Sequence, residues 1–489
     1  MSFGRLGRAL GAMALAASGL GCKAPLLVCP KDGGTAWTEV DTPHFVIKTD
    51  VDPPAARAMA REFEELHTAL GRMMHRQDTR PGERVDVVVF AAPEAFHAFD
   101  DDTDFRMAYA ADHLPFDVEP SPTLVMYHDE EEAGRETFLH ELTHRFLHEH
   151  FTELPRWLDE GMASLSETLQ IKGRRGLLGA AWRRPREAVL WTDHHGVAGG
   201  GMIPVASIPS LDELVAADRS AFYRDLDASP GKGEKVVANY AGAFRFVHLL
   251  VNGPEEYRRR FSSYLQALEQ GVKPGPALST AFASVDADRL HHDYRAYLAS
   301  QDLPVADFDL GPPDPPPPVA VRPMSDAEVH VLWSRLYPRK KEFLRYVHGE
   351  LDLALAHDPS AIEARLRRAL VLASEERFPE SRADLAAALS GHPDDPRYLL
   401  GKLAVYQSIN PPAFQCGDAD AEVEATVAHL AQVAVTGAEL GAVAAYHEQH
   451  GQAAAGLRFA GEAVRRAPLC WSCQDTYSRL LLQTGDVPG

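Results

Sequence analysis

Hydrophobic and polar positions repeat with two different periods along the first three hundred residues. After about Ala36, the runs "HFVIKTD", "RVDVVVFAA" and "PTLVMYH" are rich in β-branched residues and indicate strands. Between the first two runs, "PAARAMAREFEELHTALGRMM" repeats its apolar residues with the period of a helix. Helical patterns dominate from the third run to about Ser300. The pattern predicts an α+β domain, with a small mixed sheet plus helices, over residues 36–303.

A proline-rich segment follows this domain. The stretch "GPPDPPPPVAVRP" begins at Gly311 and places six prolines in seven positions, which excludes a helix or a central strand. We therefore expect an extended, semi-rigid linker over residues 304–325.

The region after the linker, residues 326–489, is rich in alanine and leucine and repeats weakly. An Ala-[Leu/Val]-x-x-x-Pro pattern occurs at Ala354, Ala388 and Ala463, and its first two prolines are 34 residues apart. That spacing is the period of a tetratricopeptide repeat. The second, longer interval contains "SINPPAFQCGDAD" as a candidate insertion. We expect an all-α, tetratricopeptide-like solenoid, with an irregular helical domain as the alternative.

Size and charge narrow the function classes. A chain of 489 residues with 45% hydrophobic and 24% charged residues is typical of a folded protein of two or three domains. Its formal net charge of -21 repels phosphate backbones and anionic lipids. We therefore expect no nucleic-acid partner.

The amino terminus, residues 1–22, is typical of a bacterial export signal. Arg5 and Arg8 precede the apolar run "ALGAMALAASGLG", which is too short to span a bilayer. The following "SGLGC" resembles the lipobox of bacterial lipoproteins, although Leu20 lies one position nearer the cysteine than usual. The resemblance implies that Cys22 is lipidated and that the protein is attached to a cell-envelope membrane only through that lipid. Simple secretion is the alternative.

Four cysteines remain if Cys22 carries lipid. Cys29, Cys416, Cys470 and Cys473 allow two disulfides in an oxidising compartment, and the connectivity is open. Cys470 and Cys473 belong to the segment "CWSC", and the sequence contains no second Cys-x-x-Cys motif that could complete a zinc site with it. A structural or unpaired role is favoured there over a redox or zinc role.

The segment "TFLHELTHRFLHEH" raises the question of a metal site. It places His140 and His144 on either side of Glu141, and residues four apart share one face of a helix. Two such imidazoles can bind one zinc ion, and the intervening glutamate can act as general base on a water at the remaining position. His148 lies about 12 Å along the axis from the first ligand and is excluded from the same ion. A polar helix that is histidine-rich by chance is the alternative.

A third ligand is available in "LPRWLDEGMASLSE". A turn at Pro155 predicts a second helix, and the 16 residues between His144 and Glu160 allow the chain to return alongside the first helix. Glu160 would complete two histidines and a carboxylate, the set of catalytic zinc hydrolases. One alternative is that Glu160 only stabilises the helix start by its charge, and another is that Asp159 or Glu167 is the third ligand.

Together, His-Glu-Leu-Thr-His and "WLDEGMASLSE" resemble the gluzincin metallopeptidases, in particular the peptidase MA-like family. The resemblance covers roughly residues 36–300 and implies a zincin-like catalytic domain. It implies Glu141 as general base and Glu167 as a carboxylate that holds a ligand imidazole, with a solvated surface glutamate as the alternative for Glu167. It also implies one zinc ion with three protein ligands, His140, His144 and Glu160.

The same resemblance suggests how a substrate would be held. "NYAGAFRFVHLL" predicts a helix with Tyr240 in its first turn, and the family carries a tyrosine at a similar helix start. The resemblance implies that this hydroxyl stabilises the oxyanion, with simple packing as the alternative. Gluzincins also align substrate on an edge strand before the metal helix, which would be "PTLVMYH".

These observations predict an exported, lipid-anchored zinc peptidase that hydrolyses peptide bonds in a polypeptide substrate. The helical region would recruit a protein partner. Two alternatives stay open: a catalytically silent peptide-binding scaffold, and a zinc hydrolase of a non-peptide cell-envelope substrate.

Overall fold

The computed structural model describes residues 27–74, 84–99, 108–111, 123–128, 133–151, 153–179, 188–190, 202–223, 234–300, 302–311, 317–338, 340–390, 392–408, 418–467 and 470–485. The predicted export signal with Cys22, and Cys416, lie outside these ranges.

The described strands are β1 (Thr38–Asp41), β2 (Phe45–Thr49), β3 (Val85–Phe90), β4 (Ala108–Ala111), β5 (Thr123–Tyr127), β6 (Gln170–Lys172), β7 (Arg175–Leu178), β8 (Ala188–Leu190), β9 (Met202–Pro204), β10 (Ala306–Asp309) and β11 (Ala320–Pro323). The described helices are α1 (Pro53–Met73), α2 (Pro93–Phe96), α3 (Ala133–His150), α4 (Arg156–Ser166), α5 (Leu211–Ala216), α6 (Arg219–Phe222), α7 (Glu234–Asn252), α8 (Glu255–Glu269), α9 (Pro274–Ala281), α10 (Ala287–Ala299), α11 (Asp326–Leu336), α12 (Leu344–His357), α13 (Ile362–Ser374), α14 (Phe378–Leu389), α15 (Pro396–Ser408), α16 (Asp418–Val433), α17 (Gly437–Gln449), α18 (Ala453–Arg466) and α19 (Trp471–Thr484).

The main sheet is mixed and has helices on both faces. Its strand order is β11-β1-β2-β3-β5-β4, with β2, β3 and β5 parallel and the others antiparallel to their neighbours. Because successive side chains of a strand point to opposite faces, Val87 and Val89 enter one hydrophobic core and Val88 and Phe90 enter the other. The predicted α+β class with a mixed sheet is confirmed.

The first core lies between the sheet and helices α1, α3, α4 and α7. Phe63 of α1 stacks on Phe138 of α3 with ring centroids 3.7 Å apart. Trp157 of α4 is fully buried, as expected of a core anchor. A Cβ on Gly161 of α4 would lie 2.5 Å from a side-chain carbon of Val247 on α7. The glycine therefore allows α7 to pack directly on α4.

The region between β5 and residue 300 is not helical throughout. Within it, β6 pairs with β7, which also pairs with β10 beyond residue 300, and β8 pairs with β9. The expectation of helical dominance missed these strands because each has only three or four residues, too few for a clear alternation.

The predicted linker is not a free spacer in its described parts, residues 304–311 and 317–325, and residues 312–316 lie outside the described ranges. Before its prolines, β10 pairs with β7; after them, β11 pairs with β1 at the edge of the main sheet. An edge position needs no amide donor on the outer side, so a strand ending in Pro323 is tolerated there.

The first helices of the carboxyl-terminal region cover the second face of the sheet. Trp333 of α11 contacts Trp37 with ring centroids 6.3 Å apart, and Nη1 of Arg335 lies 3.1 Å from Oδ2 of Asp86 on β3. The domain boundary predicted at residue 326 therefore passes through one shared hydrophobic core.

Helices α11–α19 form the helical carboxyl-terminal region that the composition predicts. Consecutive helices pack on each other, and Ala354, Ala388 and Ala463 of the weak repeat are all buried. The tetratricopeptide identity of these helices stays a prediction. Cys470 and Cys473 form a disulfide at the start of α19. No helix in the described part of the chain combines the length and apolar character needed to cross a membrane.

Candidate metal centre

Helices α3 and α4 carry the histidine motif and its predicted third ligand. His140 and His144 lie one turn apart on α3. The chain then reverses, and α4 begins at Arg156 directly after Pro155, where the sequence predicts the turn. Glu160 on α4 lies opposite the two imidazoles, so that one ligand atom from each residue is available at a common point.

The three donor atoms form a nearly equilateral triangle. Nε2 of His144 lies 3.1 Å from Nε2 of His140. Oε2 of Glu160 lies 3.4 Å from Nε2 of His140 and 3.5 Å from Nε2 of His144. Ligand atoms at ~2.0–2.1 Å from a tetrahedral zinc ion stand roughly 3.3 Å apart. The triangle therefore fits a zinc ion with its fourth position left for water or substrate.

The environment of Glu160 also fits a cation. The residue is 3% exposed, and its Oε2 atom has no hydrogen-bond partner among the described residues. Buried carboxylate oxygens are normally hydrogen-bonded, because their desolvation is costly. The distances to both imidazoles are too long for good hydrogen bonds. A metal ion inside the triangle would satisfy this oxygen.

Two further carboxylates orient the imidazoles. Oε1 of Glu167 lies 2.6 Å from Nδ1 of His140, and Oδ1 of Asp159 lies 2.7 Å from Nδ1 of His144. Each pair leaves Nε2 of the ring directed at the triangle. Carboxylates in this relation to a metal-binding histidine set its tautomer and raise its basicity. Glu167 thus stands where the resemblance implies it should.

The carboxylates dominate the electrostatics of the centre. Burial lowers the pKa of His140, but interactions with Glu160 and Glu167 outweigh burial and raise the pKa to about 9. Burial likewise disfavours a charged His144, yet Glu160 and Asp159 raise its pKa well above the ordinary value. Burial raises the pKa of Glu160, and the two histidines reverse this and lower it well below the ordinary value. The negative charge of the centre needs a nearby cation, either imidazolium protons or a metal ion.

Glu141 and Tyr240 lie beside the triangle. Glu141 is half-buried and follows the first histidine directly. Tyr240 is buried in the second turn of α7, one turn later than predicted, because α7 begins at Glu234. Burial, followed by the charges of Glu160 and Glu141, raises the pKa of Tyr240 well above the ordinary value. Its hydroxyl therefore stays protonated and can donate a hydrogen bond.

Two residues of the centre were missed or underrated in the sequence. The Tyr223 hydroxyl donates a short hydrogen bond to Oε1 of Glu160, although the two residues are 63 positions apart. Nothing in the local pattern around Tyr223 signals this contact. Asp159 was considered only as a substitute ligand, but it accepts hydrogen bonds from His144 and Arg156 and lies 3.2 Å from Nε2 of exposed His148. Its position next to Glu160 was the available clue.

The edge of the main sheet lies on a different strand from the one that the sequence predicts. β5, from "PTLVMYH", is paired on both sides, with β3 and with β4. β4 (Ala108–Ala111) is the edge strand beside it among the described residues. The prediction that β5 is an edge strand is wrong, because the short β4 precedes it and pairs with its outer side.

No protein-family model matches the chain, and a search of curated proteins finds no significant match.

Proposed function

We propose that this protein is a zinc-dependent peptidase of the gluzincin type. The observation that supports the proposal most is the buried Oε2 of Glu160, which lies without a hydrogen bond at zinc-ligand spacing from two imidazoles. Chance proximity of three polar groups does not account for the two additional carboxylates that orient those imidazoles.

Each residue around the ion has a distinct task in this proposal. Zinc held by His140, His144 and Glu160 would polarise a substrate carbonyl and make a water more acidic. Glu141 would remove the proton from the attacking water. Tyr240 would donate a hydrogen bond to the carbonyl oxygen as it becomes negative.

A polypeptide substrate fits the edge strand near the centre. The outer side of β4 has no further strand among the described residues, so an extended peptide could continue the sheet there. Substrate backbone bound in this way would run beside α3, which contacts β4. Helices α11–α19 would recruit a protein partner or guide the substrate, and lipid on Cys22 would hold the exported enzyme at the cell envelope.

The decisive experiment compares Glu141→Gln with the parent protein. The variant should keep its zinc, measured by elemental analysis, and lose casein hydrolysis by roughly 10²–10⁴-fold, because it removes only the proton acceptor. Glu65→Gln, at an exposed glutamate on α1, is the matched control and should behave like the parent.

Other outcomes identify the alternatives. If zinc-loaded parent and variant bind peptides but are equally inert on casein, peptide libraries, esters and peptidoglycan fragments, the protein is a peptide-binding scaffold. If the parent cleaves esters or peptidoglycan fragments but no peptides, it is a hydrolase of a non-peptide envelope substrate. Parent protein that takes up no zinc contradicts the proposal altogether.

A further inference from the structure

A second cluster of metal-ligand side chains lies on the opposite face of the main sheet. It consists of Cys29 in the amino-terminal segment, His330 on α11 and His357 at the end of α12. One donor atom from each of the three lies within 4.8 Å of the others. We call these three residues the Cys29 cluster.

His330 leaves one ring nitrogen without a partner. Its Nδ1 lies 2.6 Å from Oε2 of Glu350, which holds the ring in place. Its Nε2 is buried and has no hydrogen-bond partner among the described residues, although the residue is only 3% exposed. An unsatisfied buried nitrogen costs free energy, so a ligand is expected at this atom. The ring of His357 stacks on that of His330, with centroids 5.3 Å apart.

Cys29 is fixed beside these rings. The residue is buried, and its thiol donates a hydrogen bond to Oδ1 of Asp326 at 3.0 Å. The same carboxylate oxygen accepts the backbone amide of Lys31 at 3.1 Å. Asp326 thus anchors the amino-terminal segment to the first residue of α11 and places a carboxylate next to the thiol.

We propose that Cys29, His330 and His357 bind a second zinc ion, which fastens the amino-terminal segment to the helical region. Thiolate and imidazole are the donors that zinc prefers in structural sites. Zinc needs such donors roughly 3.3–3.6 Å apart, so the cluster would close by at most about 1.5 Å. His357 is half-buried at a helix end and is free to make that adjustment. Asp326 is the nearby group for the fourth position.

The role of this ion would be structural. Cys29 lies about three hundred residues before His330 in the chain, and it belongs to the hydrophobic core that contains Trp37 and Trp333. A shared ion would tie together three segments that are distant in the chain. The inference does not depend on the proposed peptidase activity, since none of its ligands belongs to the α3–α4 centre.

Cobalt substitution of the full-length protein tests the proposal. The metal-free protein, purified without reductant so that the Cys470–Cys473 disulfide persists, is titrated with Co²⁺. Bound thiolate gives a near-ultraviolet charge-transfer band, whereas a centre of two histidines and a glutamate gives none. We expect the band in the parent protein, its loss in Cys29→Ser, and a zinc content that falls from two ions to one in that variant.

Matched variants separate this site from the first. His140→Ala combined with His144→Ala should lose one zinc ion and keep the band, and Cys416→Ser should keep both. If Cys29→Ser folds poorly, His357→Ala provides the test instead, because it changes a half-buried ligand. It should weaken Co²⁺ binding at the Cys29 cluster at least tenfold. A folded parent protein that shows no thiolate band, or a band that persists in Cys29→Ser, overturns the proposal.

Discussion

The two histidine clusters use the same local arrangement but are assembled over very different distances in the chain. In the α3–α4 centre, Nδ1 of His140 is 2.6 Å from Glu167; in the Cys29 cluster, Nδ1 of His330 is 2.6 Å from Glu350. Each carboxylate leaves Nε2 for another ligand. The ligands of the first centre come from one helical hairpin, whereas Cys29 and His330 are about three hundred residues apart.

The two proposals assign a reactive role to the α3–α4 centre and a structural role to the Cys29 cluster. The α3–α4 centre lies beside Glu141 and Tyr240. Glu141 can accept a proton, and Tyr240 can donate a hydrogen bond to an oxygen that becomes negative. In the Cys29 cluster, Cys29 belongs to the second hydrophobic core, and the ring of His330 contacts Trp333 of that core with centroids 5.4 Å apart. Catalytic zinc sites keep one open position, and structural sites are closed by protein ligands. The comparison therefore predicts different responses to mutation in the two clusters.

The largest effect is expected from Glu160→Gln. Loss of the ligand charge should empty the α3–α4 centre and abolish casein hydrolysis, while the Cys29 cluster keeps its ion. Elemental analysis gives the total number of bound zinc ions, and the thiolate–cobalt band reports the occupancy of the Cys29 cluster alone. Full zinc content with full activity in this variant would remove Glu160 from the ligand set.

A smaller effect on catalysis is expected from Tyr240→Phe. Without the hydroxyl, kcat on a peptide substrate should fall roughly 10²–10³-fold, with zinc content unchanged. Tyr223→Phe is the informative control, because that hydroxyl contacts Glu160 and should mainly weaken zinc binding. Equal kcat in Tyr240→Phe and the parent would reduce Tyr240 to a packing residue.

The carboxylates behind the histidines allow a matched test. Glu167→Gln should lower zinc affinity at the α3–α4 centre by roughly 10–100-fold, and Glu350→Gln should do the same only at the Cys29 cluster. Competition with a chelator, followed by analysis of each centre, gives both affinities. If each variant weakens both centres equally, the effect is general destabilisation and not local support of one histidine.

The smallest effect is a pH dependence of stability. In chelator-treated protein, His140 has a pKa raised from 6.5 to about 9, so its contribution to stability is fully present below pH 6.5 and is lost as pH rises to about 9. Zinc binding requires deprotonated imidazoles and should strengthen over the same range. The difference in melting temperature between zinc-loaded and chelated protein should therefore grow from pH 6.5 to 9. A difference in melting temperature that does not change with pH, or that is the same in His140→Ala, would contradict the assignment of this pH dependence to His140.

Much of the α3–α4 centre could be predicted, because its three metal-ligand candidates lie close together in the sequence. Helical periodicity places His140 and His144 on one face, and Pro155 marks the turn that returns Glu160. The contact of Tyr223 with Glu160 could not be predicted in this way, since it depends on how α6 packs. The edge position of β4 likewise depends on strand pairing, and the short run "AYAA" does not predict a strand.

The amino-acid sequence by itself determined the α+β class, the helical carboxyl-terminal region and the residues of the histidine motif, because periodicity and spacing act over a few turns of chain. Tertiary structure alone decided that β10 and β11, on either side of the prolines, pair in two different sheets and that α11 shares a core with β3. It also brought Cys29 to His330. The physical reason is that burial of apolar surface is not directional, so a local pattern shows which face is buried but not which distant segment covers it.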